Sequence, residues 1–258
     1  MSPLRTVSVT RYVTPLREGG SLPAIVEADD DGLYVLKFRG AGQGPRALIA
    51  ELVAGELARA LGLPVPELVF VELDADLART EPDPEIQELI RASAGLNLAL
   101  DYLPGSVTFD PNADRLDADL ASEVVWFDAY TSNVDRTARN TNLLMWHRAL
   151  WLIDHGASLY FHHGTPSGEF GARVADPFTR IKEHVLLGRA STLAAADARL
   201  AARLSNEAIA AVVHLVPDTW LGEDAGTQRQ AYGDYLQARV RGPRPFVEEA
   251  SRARLSRV

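Results

Sequence analysis

Asp135-Arg136-Thr137-Ala138-Arg139-Asn140 and, after two apolar runs, Ile153-Asp154-His155-Gly156 are the stretches on which the reading of this chain turns. Between them lie Thr141-Asn142-Leu143-Leu144-Met145-Trp146 and Ala149-Leu150-Trp151-Leu152-Ile153-Asp154, joined by His147-Arg148. Two strand-prone runs around a two-residue turn predict a β-hairpin. Pairing Trp146 with Ala149 sets Thr141 opposite Asp154, so Asn140 and Asp154 meet at the open end. Opposed residues of a ladder lie roughly 5 Å apart, close enough for two side chains to share one cation. His147-Arg148 is not a favoured type I′ pair, which leaves the register open to a one-residue slip.

An aspartate, an asparagine five positions later and a late Asp-x-Gly are the parts that a phosphoryl-transfer site requires. Asp135 would orient the attacking hydroxyl. Asn140 and Asp154 would hold magnesium, which takes a few protein oxygens and completes its shell with phosphates and waters. Arg136 is placed either to stabilise charge on the transferred group or to form a structural salt bridge. Lys37, in Tyr34-Val35-Leu36-Lys37-Phe38, supplies the cation that grips nucleotide phosphates. Of the 26 basic residues only Lys37 and Lys182 are lysines. An otherwise arginine-only chain thus keeps a compact ammonium in an apolar strand, where a point charge can approach phosphate closely. The bland alternative is an edge-strand lysine that blunts aggregation. The expected partner of Lys37 is Glu51, in a helix predicted over residues 47–61. Leu48, Leu52, Val53 and Leu57 recur there at helical spacing, and Gly62 with Pro64 ends it. Glu56 is the rival on another face.

Val35-Leu36-Lys37, Ala50-Glu51 in a helix ending Leu61-Gly62-Leu63, Asp-x4-Asn and the late Asp-x-Gly together resemble the HipA-like kinases. That family is distantly similar in architecture to the phosphoinositide kinases, whose catalytic loops also begin Asp-Arg. The likeness spans roughly residues 10–165. It implies a two-lobed α+β kinase with Asp135 as catalytic base, Asn140 and Asp154 as magnesium ligands and Lys37 on the phosphates. ATP and Mg2+ would then be required, with a hydroxyl as acceptor: a protein serine or threonine, the enzyme itself, or a small molecule. The chain has Arg136-Thr137 where the family's toxin members carry a histidine two residues after the aspartate, and it starts close to the nucleotide lobe. The toxin role and its protein substrate therefore lie outside what the likeness implies.

Upstream, Gly19-Gly20-Ser21 between two strand-like runs suits a phosphate-covering turn, because glycine amides approach phosphate without a side-chain clash. A plain hairpin turn fits the same residues. Family members phosphorylate themselves near such loops, so the resemblance also implies Ser21 as an autophosphorylation site that would repel ATP once modified. Residues 40–45, Gly-Ala-Gly-Gln-Gly-Pro, read as a mobile connector or a lid. Asp101, Tyr102 and Leu103, before Pro104-Gly105, are expected to form the hinge whose backbone reads the adenine edge.

A small, antiparallel-sheet lobe is expected over residues 1–103 and a mostly helical lobe over 104–258. Strands are predicted near residues 8–13, 24–28, 32–38 and 68–73, a surface loop at 80–84, and helices at 119–131, 191–204, 206–216 and 228–240. The arginine-rich stretch 244–257 reads as loosely held: a solvated helix face, or a dock for an acidic partner. With 258 residues, 47% of them hydrophobic and 24% charged, the chain has the composition of a globular protein of one large domain or two lobes. A net charge of -9 argues against direct nucleic-acid binding. No run nears the ~18 apolar residues of a membrane helix, and no secretory leader pattern opens the chain. The absence of cysteine removes thiolate metal sites and fits a cytoplasmic setting. Asp154, His155, His162 and His163 raise a rival zinc-hydrolase reading, weakened because neighbouring histidines on a strand face opposite ways. A second rival is a pseudokinase that binds nucleotide and presents its helical lobe to a protein partner. The presence of all four of Lys37, Asp135, Asn140 and Asp154 favours catalysis.

Overall fold

The computed structural model describes residues 4–16, 22–42 and 44–256. Gly19, Gly20 and Ser21 lie outside them, as does any contact that they make. Strict alternation builds the first lobe. Val7 and Val9 of β1 (Thr6–Pro15), Ala24 and Val26 of β2 (Ala24–Ala28) and Tyr34 and Leu36 of β3 (Leu33–Lys37) all point into one apolar interior. Val69 and Val71 of β4 (Leu68–Leu73) and Ala99 of β5 (Gly95–Asp101) complete it. The strands close into a barrel in the order β1-β2-β3-β5-β4. Every pair is antiparallel except one: residues 6–8 of β1 run parallel to residues 70–72 of β4. That parallel pair closes the sheet and removes the open edges that an antiparallel ribbon would expose. With Leu36 inside the barrel, period-two geometry puts Lys37 on the opposite face.

That outer face meets α1 (Pro45–Leu61), whose residues 48–58 are all buried, including Glu51 and Glu56. A helix apolar on all sides belongs in a shared core rather than on a surface. α1 does pack in that core, with Leu68, Leu98 and Leu100 of the sheet and with the C-terminal helices. It ends as the sequence predicts: Gly62 adopts a left-handed φ of 83°, and the Leu63 amide donates to the Ala58 carbonyl at 2.9 Å.

The second lobe holds β6 (Val107–Thr108), α3 (Ala118–Thr131), β7 (Leu143–Trp146) and β8 (Ala149–Leu152). It continues through α4 (Leu193–Arg203), α5 (Asn206–His214), α6 (Asp218–Leu221), α7 (Ala225–Arg241) and α8 (Pro245–Leu255). Counting in chain order, the helix Pro84–Ala92 of the first lobe is α2. Residues 81–83 form the loop read at 80–84, and α2, which starts at Pro84, is a helix that the sequence reading lacks. Asp83 caps it by accepting from the Glu85 amide at 3.0 Å, and Ile86 and Ile90 seal the barrel.

Two expectations of looseness are corrected. Gly40 donates its amide to Ser93 Oγ at 3.0 Å, and Ala41 is buried, so the described part of the loop after Lys37 is anchored. The 244–257 stretch is largely α8, tied into the core. Phe246 is fully buried against Trp126 at 5.7 Å, and the Arg239 guanidinium lies 4.8 Å from its ring centroid. Among the described residues no helix is long and apolar enough to cross a membrane.

Candidate active site

The hairpin forms in the predicted register, with Trp146 opposite Ala149 and Leu143 opposite Leu152. His147 and Arg148 both take positive φ, 48° and 65°, the backbone of a type I′ turn without its favoured residues. Strand pairing and hairpin twist thus override local preference. Beyond the ladder, the Ile153 amide donates to the Asn142 carbonyl at 3.1 Å, which brings Asp154 level with the catalytic loop. Asp154 itself has φ 54°, a left-handed conformation that aspartate tolerates better than most residues.

A cleft of about 550 Å3 lies between α1, the end of β3 and this loop. Lys37, Glu51, Asp135, Asn140, Asp154 and Gly156 line it. Lys37 Nζ lies 2.7 Å from Asp154 Oδ1 and 3.8 Å from Glu51 Oε2. Burial alone would push the Lys37 ammonium down, but the facing carboxylates of Asp154 and Glu51 hold it above its ordinary value. Burial would likewise raise Glu51, yet Lys37 and His155, whose amide donates to it and whose ring lies 3.6 Å away, keep it well below the usual carboxylate range. The His155 amide donates to Glu51 Oε1 at 3.0 Å, so Glu51 ties the lysine strand to the Asp154 turn. Glu56 does not compete for Lys37; it pairs with Arg59 at 3.2 Å.

Asp135 Oδ2 accepts from Asn140 Nδ2 at 2.8 Å and from Asn142 Nδ2 at 3.2 Å. The oxygen donors lining this part of the cleft are the carboxylates of Asp135 and Asp154 and the amide carbonyl of Asn140. Such a set suits a hard divalent cation that keeps waters and phosphate oxygens in its shell, and Mg2+ fits it. Among the described residues no group of three or more histidine, cysteine or acidic side chains is arranged to hold a metal ion. His162 and His163 do not sit on a strand. They share a 3₁₀ turn over Tyr160–His163 with their Nε2 atoms 3.1 Å apart.

A sequence model described as HipA-like kinase matches residues 9–240. The chain belongs to the HipA-like kinase family. Among solved structures, the proinflammatory kinase CtkA of Helicobacter pylori superposes with a TM-score of 0.59 at 11% identity, over 98% of this chain and 99% of that one. Two structures of the Golgi casein kinase, one with Mn/ADP bound, reach TM-scores of 0.49 and 0.47 at 9% and 11% identity. They cover 100% and 96% of this chain and 76% and 72% of their own, and at those scores they add nothing to the fold assignment. No curated protein sequence matches. The protein is therefore a phosphotransferase of two-lobed, kinase-like α+β fold.

One expected site residue takes another place in this HipA-like kinase, and three more do not line the cleft. Arg136 does not face the cleft. It is 1% exposed, its Nε lies 2.6 Å from Asp128 Oδ2, and its Nη1 donates to the carbonyls of Asn142 and Ile153. Of the two roles read for it, the structural salt bridge is the one formed. Asp101, Tyr102 and Leu103 are not among the residues lining the cleft. The amides of Asp101 and Tyr102 are spent on the carbonyls of Glu67 at 2.8 Å and Leu33 at 2.9 Å, which leaves neither to read a base edge.

Two residues escaped the sequence reading. Asn142 opens the hairpin and reaches Asp135 beside Asn140; its place directly before the apolar run Leu143-Leu144-Met145 was the available signal. Asp128, in the apolar face of α3, accepts from Arg136, from Asn133 Nδ2 at 3.1 Å and faces His184 Nε2 at 2.9 Å. Burial would raise its carboxyl, but Arg136 and His184 hold it far below the usual range. No periodicity marks it, because its partners are Asn133 and Arg136 in the loop after α3 and the remote His184.

The buried His162 supplies a pH-dependent prediction. Its Nδ1 lies 2.9 Å from the Tyr232 hydroxyl, and burial first, then His163 and Arg46, push the imidazole down to about 3. The unfolded chain takes up that proton near ~6.5, so the contribution is complete above ~6.5 and is lost as pH falls toward the folded value. Urea unfolding at pH 7 and pH 5 should differ by about 2 kcal/mol through this residue. His162→Gln should flatten that slope; an unchanged slope would show that the ring is protonated in the fold.

Proposed function

We propose that this HipA-like kinase transfers the γ-phosphoryl group of ATP to a serine or threonine hydroxyl of a protein, with magnesium. The observation that carries the reading is the convergence of Lys37, Asp135, Asn140 and Asp154 on one cleft from three segments of chain. Residues 1–103 would form the nucleotide-binding lobe and 104–258 the catalytic lobe. Lys37, oriented by Glu51, would hold the α- and β-phosphates. Asp154 with Asn140 or Asn142 would hold the magnesium, whose charge would offset that developing on the phosphoryl oxygens. Asp135 would orient the acceptor and take its proton as the new O–P bond forms and the bond to the bridging oxygen breaks, releasing ADP. Asn140 and Asn142 fix the Asp135 carboxylate by hydrogen bonds before the acceptor arrives, so orientation is not purchased at the moment of transfer. A cytoplasmic setting goes with this use of ATP.

Two measurements test the reading. Labelled ATP with the protein alone, and then with a cell lysate, should deliver phosphate to a protein band. Magnesium-ATP should also raise the melting temperature, since saturation to ~100 times the dissociation constant stabilises the native state by about 2.7 kcal/mol. Lys37→Ala should remove most of that shift. A folded protein with no shift at millimolar ATP would end both the kinase and the pseudokinase readings.

A further inference from the structure

The cleft continues into a second cavity of about 270 Å3 that the transfer reading leaves without a role. The two share Val134, Tyr160 and Arg180. Val134 directly precedes Asp135, so the cavity opens beside the carboxylate assigned to the acceptor. Phe161 and Phe178 supply apolar wall, while Tyr160 is 41% exposed and leaves the mouth open to the surface. At the floor Ser132 Oγ and the Tyr235 hydroxyl lie 3.4 Å apart, both buried. Only one hydroxyl proton can serve that contact, so the pair keeps a donor for a further acceptor.

We propose that this cavity seats an aromatic side chain flanking the phosphoacceptor hydroxyl of an extended protein segment. The inference rests on the transfer reading and names the class of acceptor. Sites that enclose a whole small molecule run from ~300 to 1,000 Å3, whereas this one is smaller and open, with room for one side chain. Aromatic walls favour edge-to-face contacts with such a ring. The floor hydroxyls suit a ring with a polar tip. Arg173 and Arg180 stand half-exposed on the rim, where their long contacts to Asp176 at 3.8 Å and Glu183 at 3.6 Å are worth little. Arg180 can therefore turn to a carbonyl of the segment, while Arg173 also donates to Thr165 Oγ1 at 3.3 Å. With its ring seated, the segment presents the neighbouring hydroxyl to Asp135.

The test is phosphorylation of serine- and threonine-centred peptides that vary at the flanking positions, with the magnesium-ATP thermal shift read on the same samples. An aromatic residue at one flanking position should raise kcat/KM roughly tenfold over alanine. Tyrosine should exceed phenylalanine there by about threefold, and Tyr235→Phe should erase that margin. Thr179→Trp, which fills the cavity, should bring aromatic and alanine peptides within about twofold. A flat flanking profile among peptides that are phosphorylated overturns the pocket assignment alone, whereas an intact nucleotide shift with no phosphorylation of peptides or lysate protein overturns the transfer reading as well. Loss of the shift in the unaltered protein overturns the transfer reading beneath it.

Discussion

Asp128→Ala is expected to lower the free energy of unfolding by about 3–5 kcal/mol, the cost of leaving one member of a buried ion pair uncompensated. The Arg136 side chain has no exposed surface, and its partner is equally buried. Urea denaturation reads the loss as a lower midpoint with an unchanged slope. The double variant Asp128→Leu, Arg136→Met should recover most of the stability, because an apolar pair often replaces a buried ion pair at little cost. Phosphate transfer should stay low in it. Arg136 also donates to the carbonyls of Asn142 and Ile153, and so holds the two ends of the hairpin at the catalytic loop. Wild-type transfer by the double variant would reduce Arg136 to a stabilising residue with no part in positioning the site.

Asp135→Asn should cut transfer by about 10²- to 10⁴-fold, the usual contribution of a positioned general base, and leave the magnesium-ATP thermal shift nearly intact. The substitution keeps an oxygen that accepts from Asn140 and Asn142, so the loop need not move. Asp154→Ala should do the reverse to binding. It removes the carboxylate 2.7 Å from Lys37 and with it the magnesium-dependent part of the shift. Isothermal titration with a non-hydrolysable ATP analogue, with and without magnesium, separates the two variants. Equal losses of nucleotide affinity would mean that the roles of Asp135 and Asp154 are wrongly divided.

Much of the architecture was legible because it depends on short-range rules. Alternation placed β2 at residues 24–28 and β4 at 68–73, and Gly62 announced the end of α1. Hairpin arithmetic placed the register of β7 and β8, even though its turn residues argued for a slip. Helical spacing ranked Glu51 above Glu56, and the structure brings Glu51 to Lys37. Where the reading fell short, composition had been allowed to stand in for packing. Asp83-Pro84 carries a capping residue and a first-turn proline, the start signals of α2, yet looked like an acidic loop. The arginines of α8 suggested a solvated tail, whereas Phe246, Ala250 and Ala253 bury its other face.

What the sequence determined by itself was therefore the set of chemical groups, their order and their local geometry: a lysine on a strand, a glutamate on the next helix, and two aspartates around a hairpin. Those follow from periods of two and 3.6 residues and from turn chemistry, all of which act within a few positions. Only the tertiary structure decided which of those groups face the cleft. It turned Arg136 inward to Asp128, set Asn142 beside Asn140 on the Asp135 carboxylate and closed the sheet through a parallel pair. Each of these depends on where charge can be neutralised and backbone groups satisfied away from water. That condition is met by partners remote in sequence, as His184 and Asp128 are, and no local pattern encodes them.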